Sequence, residues 1–268
     1  MNRVRLHRRP LGDLLQIDSH ADFHRTLFAH AIERYRASLR GPQTDLGSVL
    51  ALGANHREAC ELSAMPFRRI QLAGIADPDP AIRSVERSDP RVSYRIENSE
   101  RLSLESRSFD LVFCKESLHH LARPVLGLYE MLRVCRRAAL IIEPYHALAG
   151  GLLARIGRST VYETDQVSNL GARDNFVYRW SRRQLESLLN SYYLESDYTL
   201  DITLGWMSSR YNAHRLRAVR RLAALAGWGL GLLPGARGNT MTALIVPGRD
   251  LPADPAVADN KGEGEDPP

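Results

Sequence analysis

The chain has 268 residues, of which 44% are hydrophobic and 25% charged, and its formal net charge is +5. These values are typical of a soluble globular protein and allow one α/β domain with additions. A membrane-spanning segment is excluded because no run approaches the ~20 apolar residues that cross a bilayer. The basic N-terminus also lacks the apolar core of a signal peptide.

Charge and cysteine content restrict the partners and the compartment. The basic residues are nearly all arginine, with only two lysines, and we expect their charge to be spread over the surface. A nucleic-acid or anionic-surface patch is the alternative, but no basic motif with interleaved aromatics indicates a nucleic-acid partner. The three cysteines lack metal-ligand spacing, and we expect Cys114 and Cys135 to be buried. Their odd number, without a signal peptide, predicts a reducing compartment, the cytoplasm.

The first half of the chain predicts an α/β alternation. After an irregular stretch over 1–20, apolar positions at helical spacing predict a helix over 21–40, which Gly41-Pro42 ends. The next predicted elements are strands at 48–53, 70–76, 91–96, 109–113 and 139–144, with helices at 55–65 and 80–87 between the first three. Repeated strand–helix units predict a parallel sheet with helices on both faces.

The second half is less regular. We expect a helical piece at 148–156, a helix at 181–190 with Ser181 as its N-cap, and closing strands at 193–202 and 239–246. Between those strands, the basic and then Leu-rich stretch 215–233 is compatible with contact to an anionic bilayer surface. A helix that covers the sheet is the competing interpretation. The Pro-, Asp- and Gly-rich tail 248–268 predicts disorder.

One long stretch carries a resemblance to a known family. Ser108 to Pro144 contains SFDLVFCKESLHHLARPVLGLYEMLRVCRRAALIIEP, in the order strand, loop, helix, strand. This order resembles the middle of the class I S-adenosylmethionine-dependent methyltransferases, where it forms the fourth strand to the fifth. The resemblance implies a doubly wound, Rossmann-like, seven-stranded, mostly parallel sheet with an antiparallel strand near the C-terminus. It covers 47–146 well and 170–246 loosely.

The same resemblance divides the chain. It implies a methyltransferase-like domain over 42–247, with acceptor-side insertions at about 145–180 and 203–237. The N-terminal residues 1–41 are then an extension with a lid helix.

The turn after the first strand of this domain departs from the family. The family has an acidic residue before Gly-x-Gly-x-Gly, whereas here Ala51 replaces the acid and only Gly53 remains. The resemblance implies that Gly53, Ala54 and Asn55 approach S-adenosylmethionine, and we expect Asn55 to keep the turn by tolerating a positive φ. Arg57, which stands at a usual glycine, would either meet the methionine carboxylate or block the pocket.

Further cofactor contacts follow from the ends of the next strands. The resemblance implies that Asp77, or secondarily Asp79, accepts hydrogen bonds from the ribose hydroxyls. Asn98 and the backbone of Ser99 would hold the adenine, and Lys115 would lie beside the methionine portion. The alternatives are that Asp77 caps the following helix and that Asn98 forms an ordinary Asx-turn.

The acceptor side offers candidate catalytic groups. His119 and His120 are candidate general bases, with helix packing as the competing role, and no partner residues indicate a metal site. Glu143 and Tyr145 are expected to face the acceptor pocket. The aromatic segment 174–180 predicts either a lid that excludes water or a hydrophobic staple for the next helix.

The predicted function is transfer of a methyl group from S-adenosylmethionine to a small-molecule oxygen or nitrogen nucleophile. A specialised metabolite or a glycan or lipid precursor is the expected acceptor, and nucleic acid is not. The displaced sulfonium is already activated, so the protein mainly supplies orientation and a dry, shaped site. The alternative is a methyltransferase-like binding or regulatory protein without activity, which the altered Gly53–Arg57 turn supports.

Overall fold

A mixed eight-stranded sheet organises the protein. The computed structural model describes residues 2–8, 15, 19–39, 45–146, 162–164, 174–194, 197–206, 214–233 and 237–248. The strands are β1 (Arg3–Arg8), β2 (Ser48–Leu52), β3 (Arg69–Gly74), β4 (Val92–Ile96), β5 (Phe109–Lys115), β6 (Cys135–Pro144), β7 (Tyr162–Thr164), β8 (Asp174–Phe176), β9 (Tyr198–Gly205) and β10 (Thr240–Pro247). The large sheet has the order β1-β9-β10-β6-β5-β2-β3-β4, and β7 and β8 form a separate antiparallel pair.

Strand directions agree with the predicted fold class. Among the described strands of the large sheet, β10 runs antiparallel to β6 and β9, and the other pairings are parallel. The predicted mostly parallel sheet with an antiparallel strand near the C-terminus is therefore confirmed. The order reverses between β2 and β5, because the chain extends from β2 to β3 and β4 on one side and from β5 to β6 on the other.

The predicted number of seven strands is wrong by one, because residues 3–8 form a strand rather than an irregular stretch. β1 pairs in parallel with β9, and Arg5 lies opposite Asp201. The Asp201 carboxylate lies 3.5 Å from His7 Nε2. Apolar Val4 and Leu6 pack against the core while basic residues alternate with them. An edge strand tolerates such cations, which obscure the strand pattern in the sequence.

The described helices largely match their predicted positions. They are α1 (His20–Ser38), α2 (His56–Ser63), α3 (Pro80–Ser88), α4 (Pro124–Val134), α5 (Arg182–Tyr193) and α6 (Arg217–Leu230), and a 3₁₀ turn spans Leu118–His120. Ser181 caps α5 as predicted, accepting from Gln184 N. Because α5 continues to Tyr193, the closing strand predicted from residue 193 begins only at Tyr198.

Two apolar layers cover the two faces of the sheet. Leu50 and Leu52 of β2 point into the layer formed with α4 and α5, whereas Val49 and Ala51 point into the layer formed with α1, α2 and α3. This alternation is the period of a strand buried on both faces. The predicted burial of both apolar-strand cysteines is confirmed. Burial also raises the pKa of Cys135 to about 12.

The N-terminal helix packs into the core, and its role as a lid stays a prediction. Phe28, Ile32 and Tyr35 of α1 are buried against the sheet. The Phe28 ring packs edge-on against the Phe113 ring of β5, with the ring centroids 5.1 Å apart. The Tyr35 hydroxyl donates to the Leu46 carbonyl at 3.0 Å. Together these contacts fix α1 over the centre of the sheet.

Some predictions fall outside the described residues. These are the helical piece at 148–156 and the tail beyond residue 248. Within the described part of the chain, every helix is too short or too polar to cross a membrane.

Candidate functional site

A cleft of about 550 Å³ lies at the carboxyl ends of β2, β3 and β5, where the strand order reverses. Ligands of doubly wound sheets bind at such a switch point. Residues from the ends of these strands and the starts of the helices that follow line the cleft: Asn55, His56, Arg57, Asp79, Ile82, Lys115 and Glu116. Of the predicted cofactor contacts, Asn55 and Lys115 are among these lining residues.

Gly53 makes the turn that opens the cleft. Its φ is +64°, in the left-handed region that favours glycine. A side-chain carbon at this position would collide with Ser117 Oγ, which follows β5. The one glycine that the chain keeps from the family pattern is thus the one that both the backbone and the neighbouring strand require. Ala54 follows it and packs partly against the α1 layer.

Asn55 keeps the turn by capping a helix and not by adopting a positive φ, so that expectation is wrong. Its φ is −89°, and its side-chain oxygen accepts from Arg57 N at 2.9 Å and Glu58 N at 3.3 Å. The Asn55 oxygen therefore occupies two backbone donors at the start of α2 that could otherwise bind an anion. Arg57 is exposed and lines the cleft. Its guanidinium therefore places a positive charge at the start of α2.

A buried ion pair lies beside this turn. Lys115 Nζ is 2.6 Å from Glu58 Oε1, and the side chains are 5% and 4% exposed. The second oxygen of Glu58 accepts from Asn55 N at 2.9 Å and completes a capping box. Sequence reasoning missed Glu58, although the spacing Asn55-x-x-Glu58 is a capping-box signal. The predicted contact residue Lys115 thus lies in the cleft lining with Glu58 as its partner.

Glu116 is, with Asp79, one of the two acidic residues among the described residues that line the cleft. Its φ is +48°, an uncommon conformation for a side chain other than glycine. Its backbone N–H donates to the Ile142 carbonyl of β6 at 2.8 Å, which holds the turn in place. Burial raises the pKa of Glu116, an effect that the Lys115 ammonium opposes. The cleft therefore has an acidic and a basic side next to each other.

The two aspartates after β3 have different roles. Asp79 caps α3, with its oxygen accepting from Ala81 N at 2.7 Å. Asp77 is exposed and does not cap this helix, so the capping alternative for Asp77 is wrong. The Tyr94 hydroxyl donates to the Ala76 carbonyl at 2.8 Å and fixes the backbone just before Asp77. Asp77 follows β3 at the carboxyl edge of the sheet but is not among the described residues that line the cleft, so its ribose contact stays a prediction.

Asn98 forms the Asx-turn that was its alternative role. Its side-chain oxygen accepts from Glu100 N at 2.9 Å, and its carbonyl accepts from Arg101 N at 2.8 Å. Buried Glu97 supports this turn through Ser103 N, at 2.9 Å. Among the described residues, the cleft lining includes neither Asn98 nor the half-buried Ser99. Their adenine contacts therefore stay predictions.

The histidine pair follows β5 in the 3₁₀ turn Leu118–His120. His119 is buried, and its Nδ1 lies 2.6 Å from Glu143 Oε2. Glu143 is itself completely buried and accepts from Ser117 N at 3.0 Å and Leu118 N at 2.9 Å. The expectation that Glu143 faces the acceptor pocket is therefore wrong, because its carboxylate is turned onto the 3₁₀ turn. The ring of half-buried His120 packs on the His119 ring, with the two ring centroids 4.1 Å apart.

The aromatic segment before α5 ends in Trp180, which forms a hydrophobic staple with that helix. Trp180 is fully buried, and its backbone N–H donates to the Pro144 carbonyl at 3.0 Å. Trp180 and Leu185 lie in the same apolar layer on either side of the Ser181 cap, the positions of a hydrophobic staple. Tyr145 is fixed by the bond from its N–H to the Asn239 carbonyl at 2.7 Å. The lid interpretation is thus wrong for Trp180.

Metal binding has no support in the part of the chain that the structure describes. No group of three or more His, Cys, Asp or Glu side chains is arranged there to hold a metal ion.

Comparison with known proteins identifies the central segment. Residues 55–142 match the family model for a methyltransferase domain, which covers a third of the chain. No curated protein matches the sequence.

Solved structures match the fold over most of the chain. The YcgJ protein from Bacillus subtilis is 12% identical over 83% of this chain and 99% of that chain, with a TM-score of 0.54. A putative S-adenosylmethionine-dependent methyltransferase from Listeria monocytogenes is 11% identical over 83% of this chain and all of that chain, with a TM-score of 0.51. Phosphoethanolamine N-methyltransferase 2 from Haemonchus contortus is 14% identical over 83% of this chain and 52% of that chain, with the same TM-score. At these identities the likeness concerns the fold.

Proposed function

Because the chain carries a class I S-adenosylmethionine-dependent methyltransferase domain, we propose that it methylates an oxygen or nitrogen of a small-molecule acceptor. The main support is the cleft at the switch point between β2 and β5, which Asn55, Arg57 and Lys115 line with both polar and charged groups. We expect a specialised metabolite or a glycan or lipid precursor as acceptor. The broad reaction class follows from the domain, and the acceptor class is our proposal.

We assign the cofactor to the carboxyl edge of β2 to β5. Gly53, Ala54 and Asn55 form the wall nearest the ligand, and the Asp77 carboxylate binds the ribose hydroxyls. Asn98 and Ser99 hold the adenine at the end of β4. When bound, the cofactor supplies a methyl group on an activated sulfonium.

The methionine end of the cofactor is held by charge. We assign Arg57 to the carboxylate, because Asn55 already occupies backbone donors at the start of α2. Lys115 lies beside it with Glu58 and Glu116 on either side, within 2.6 and 3.6 Å. The cleft thus offers both positive and negative groups to the methionine end of the cofactor, which carries an ammonium and a carboxylate. This arrangement replaces, by side chains, the close backbone approach that further glycines would allow.

The acceptor is served by the histidine pair. We assign His120 as the base for a nucleophile that must lose a proton, because it is half-buried and lies on the outer side of the turn. His119 is the positioning residue, since its bond to Glu143 and the Glu143 bonds to the turn hold the pair in place. Strand β8, which belongs to the segment that we expect to form an acceptor-side insertion, lies against this turn.

The proposal is tested by a methyl-transfer assay with the full chain. The purified protein is incubated with S-adenosylmethionine and a panel of hydroxyl- and amine-bearing small molecules, and S-adenosylhomocysteine is quantified. We expect turnover with at least one acceptor and its loss in His120→Ala. Turnover only with nucleic acid or protein would refute the proposed acceptor class.

The second candidate function is a binding or regulatory protein without activity. It is favoured by Asn55 and Arg57 in place of glycines and by the buried pair of Glu58 and Lys115 next to them. On this alternative the protein transfers no methyl group. Arg57 then closes the cleft instead of binding the methionine carboxylate.

A further inference from the structure

Helix α6 and the residues around it expose an unusual amount of apolar surface. None of the α6 residues is buried. Six of the eleven exposed large hydrophobic side chains in the described part of the chain lie between 216 and 233. They are Leu216, Leu222, Leu225, Leu230, Leu232 and Leu233. The competing interpretation of this segment as a cover helix over the sheet is therefore wrong, because a cover helix would bury its leucines.

The charges of this segment all have one sign. Residues 214–233 contain four arginines, at 215, 217, 220 and 221, and no aspartate or glutamate. At helical spacing, Leu222 and Leu225 lie on one side of α6, and Arg217 and Arg221 border that side. Arg221 is exposed like the leucines. An exposed apolar face with arginines along its border is the pattern of a helix that lies in a membrane interface.

The opposite side of α6 is held to the domain. A side-chain carbon at Gly227 would lie 3.0 Å from Trp206 Cβ, so the helix backbone passes close to the residue that follows β9. Gly227 and the Leu222–Leu225 side lie about half a helical turn apart. The contact with the domain therefore leaves the leucines pointing away from it.

The position of α6 in the fold relates it to the candidate cleft. β9 ends at Gly205, which pairs with Thr240 at the start of β10, and Thr240 also pairs with Pro144 at the end of β6. The connection that carries α6 therefore leaves and re-enters the sheet at its carboxyl edge. This is the edge at which β2 and β5 form the cleft.

We propose that residues 214–233 bind the surface of an anionic lipid bilayer. Such a bilayer offers apolar contact to the leucines and negative charge to the arginines at the same depth. A second copy of this chain fits less well, because a two-fold contact would set this patch against itself. The arginines of both copies would then meet with no carboxylate of the patch to pair with them. The inference does not depend on the identity of the methyl acceptor.

Vesicle flotation with the full chain tests the proposal. The protein is mixed at low salt with vesicles of phosphatidylcholine and phosphatidylserine, and in parallel with vesicles of phosphatidylcholine alone. We expect it to float with the anionic vesicles and to be released by salt. Binding should weaken by more than tenfold in Leu222→Gln/Leu225→Gln. In Arg215→Gln/Arg221→Gln it should weaken about fivefold for each arginine.

Matched variants separate surface recognition from a general loss of charge or apolar area. Leu126→Gln/Leu194→Gln removes two exposed leucines elsewhere, and Arg87→Gln/Arg183→Gln removes two exposed arginines elsewhere. Both should float like the unchanged protein. The proposal is overturned if the unchanged protein stays in the dense fraction, or if the α6 variants float as well as their controls. A dimer in sedimentation that Leu222→Gln/Leu225→Gln dissociates would also overturn it, in favour of self-association.

Discussion

Lys115 Nζ lies 2.6 Å from Glu58 Oε1, with about 95% of each side chain buried. Glu58 also accepts from the backbone of Asn55. One carboxylate thus joins the turn after β2 to the end of β5, the two strands between which the cleft opens. In a chain that has lost most of the glycines expected there, this ion pair fixes the shape of the site.

Breaking this ion pair should destabilise the fold. Lys115→Met leaves the buried Glu58 charge without its partner, and we expect the free energy of unfolding to fall by about 3 kcal/mol. Lys115→Met/Glu58→Gln should lose less than the two single variants added together, because no unpaired charge remains. Urea denaturation measures both. Arg182→Met, which breaks an exposed pair with Glu186, is the control and should lower the free energy of unfolding by about 1 kcal/mol or less. An equal loss of stability in Lys115→Met and Arg182→Met would contradict the account.

Arg57 decides between the two proposed functions. If it binds the methionine carboxylate, Arg57→Ala should weaken S-adenosylmethionine binding about tenfold, since one charge-assisted hydrogen bond is lost. Arg68→Ala removes an exposed arginine at the opposite edge of the sheet and should leave binding unchanged. Calorimetric titration gives the two dissociation constants. Tighter binding in Arg57→Ala would mean that the side chain obstructs the cleft.

The histidine variants should separate catalysis from packing. His120→Ala is expected to lower kcat by about a hundredfold or more for a protonated nucleophile, with little effect on the melting temperature. His119→Ala should instead lower the free energy of unfolding by about 2 kcal/mol, because Glu143 loses a buried hydrogen-bond partner. Steady-state kinetics and thermal unfolding of both variants are the measurements. A normal kcat in His120→Ala would remove this residue from the mechanism.

The sequence predicts the central fold because its signals there are local. Apolar runs such as 109–113, each followed by a helical stretch, require buried parallel strands, and Ser181 marks a helix start. β1 and the packing of α1 depend on partners far away in the chain, Asp201 and Phe113 among them. A single-sequence pattern does not contain those partners, so β1 and the packing of the predicted helix α1 could not be predicted in the same way.

The sequence predicts the edge of the sheet at which the candidate residues lie but not their hydrogen bonds. Strand ends of a parallel sheet place Gly53, Asp77 and Lys115 at the same edge. Which of two nearby groups caps a helix depends on backbone geometry, and it is Asp79 that caps α3. The inward turn of Glu143 follows from backbone donors of the 3₁₀ turn, which become available only in the folded protein.

Stability should depend on pH through Asp89, which follows α3. Hydrogen bonds from Arg91 hold the pKa of this carboxyl well below its usual range. The stabilisation is therefore present above the unfolded-state pKa of about 3.9 and is lost as the pH falls towards the lower folded-state pKa. Asp89→Asn should cost about 2 kcal/mol at neutral pH. The difference in the free energy of unfolding between Asp89→Asn and the unchanged protein should become smaller in acid. Urea denaturation at several pH values measures it, and a constant difference would contradict the account.

Calorimetric titration of S-adenosylmethionine and S-adenosylhomocysteine into the full chain tests the central claim most directly. We predict micromolar binding, about −8 kcal/mol. It should be lost in Asp77→Ala and retained in Asp45→Ala, which removes an aspartate at the opposite edge of the sheet. Absence of binding of either compound at millimolar concentration would contradict the claim that this cleft holds the cofactor.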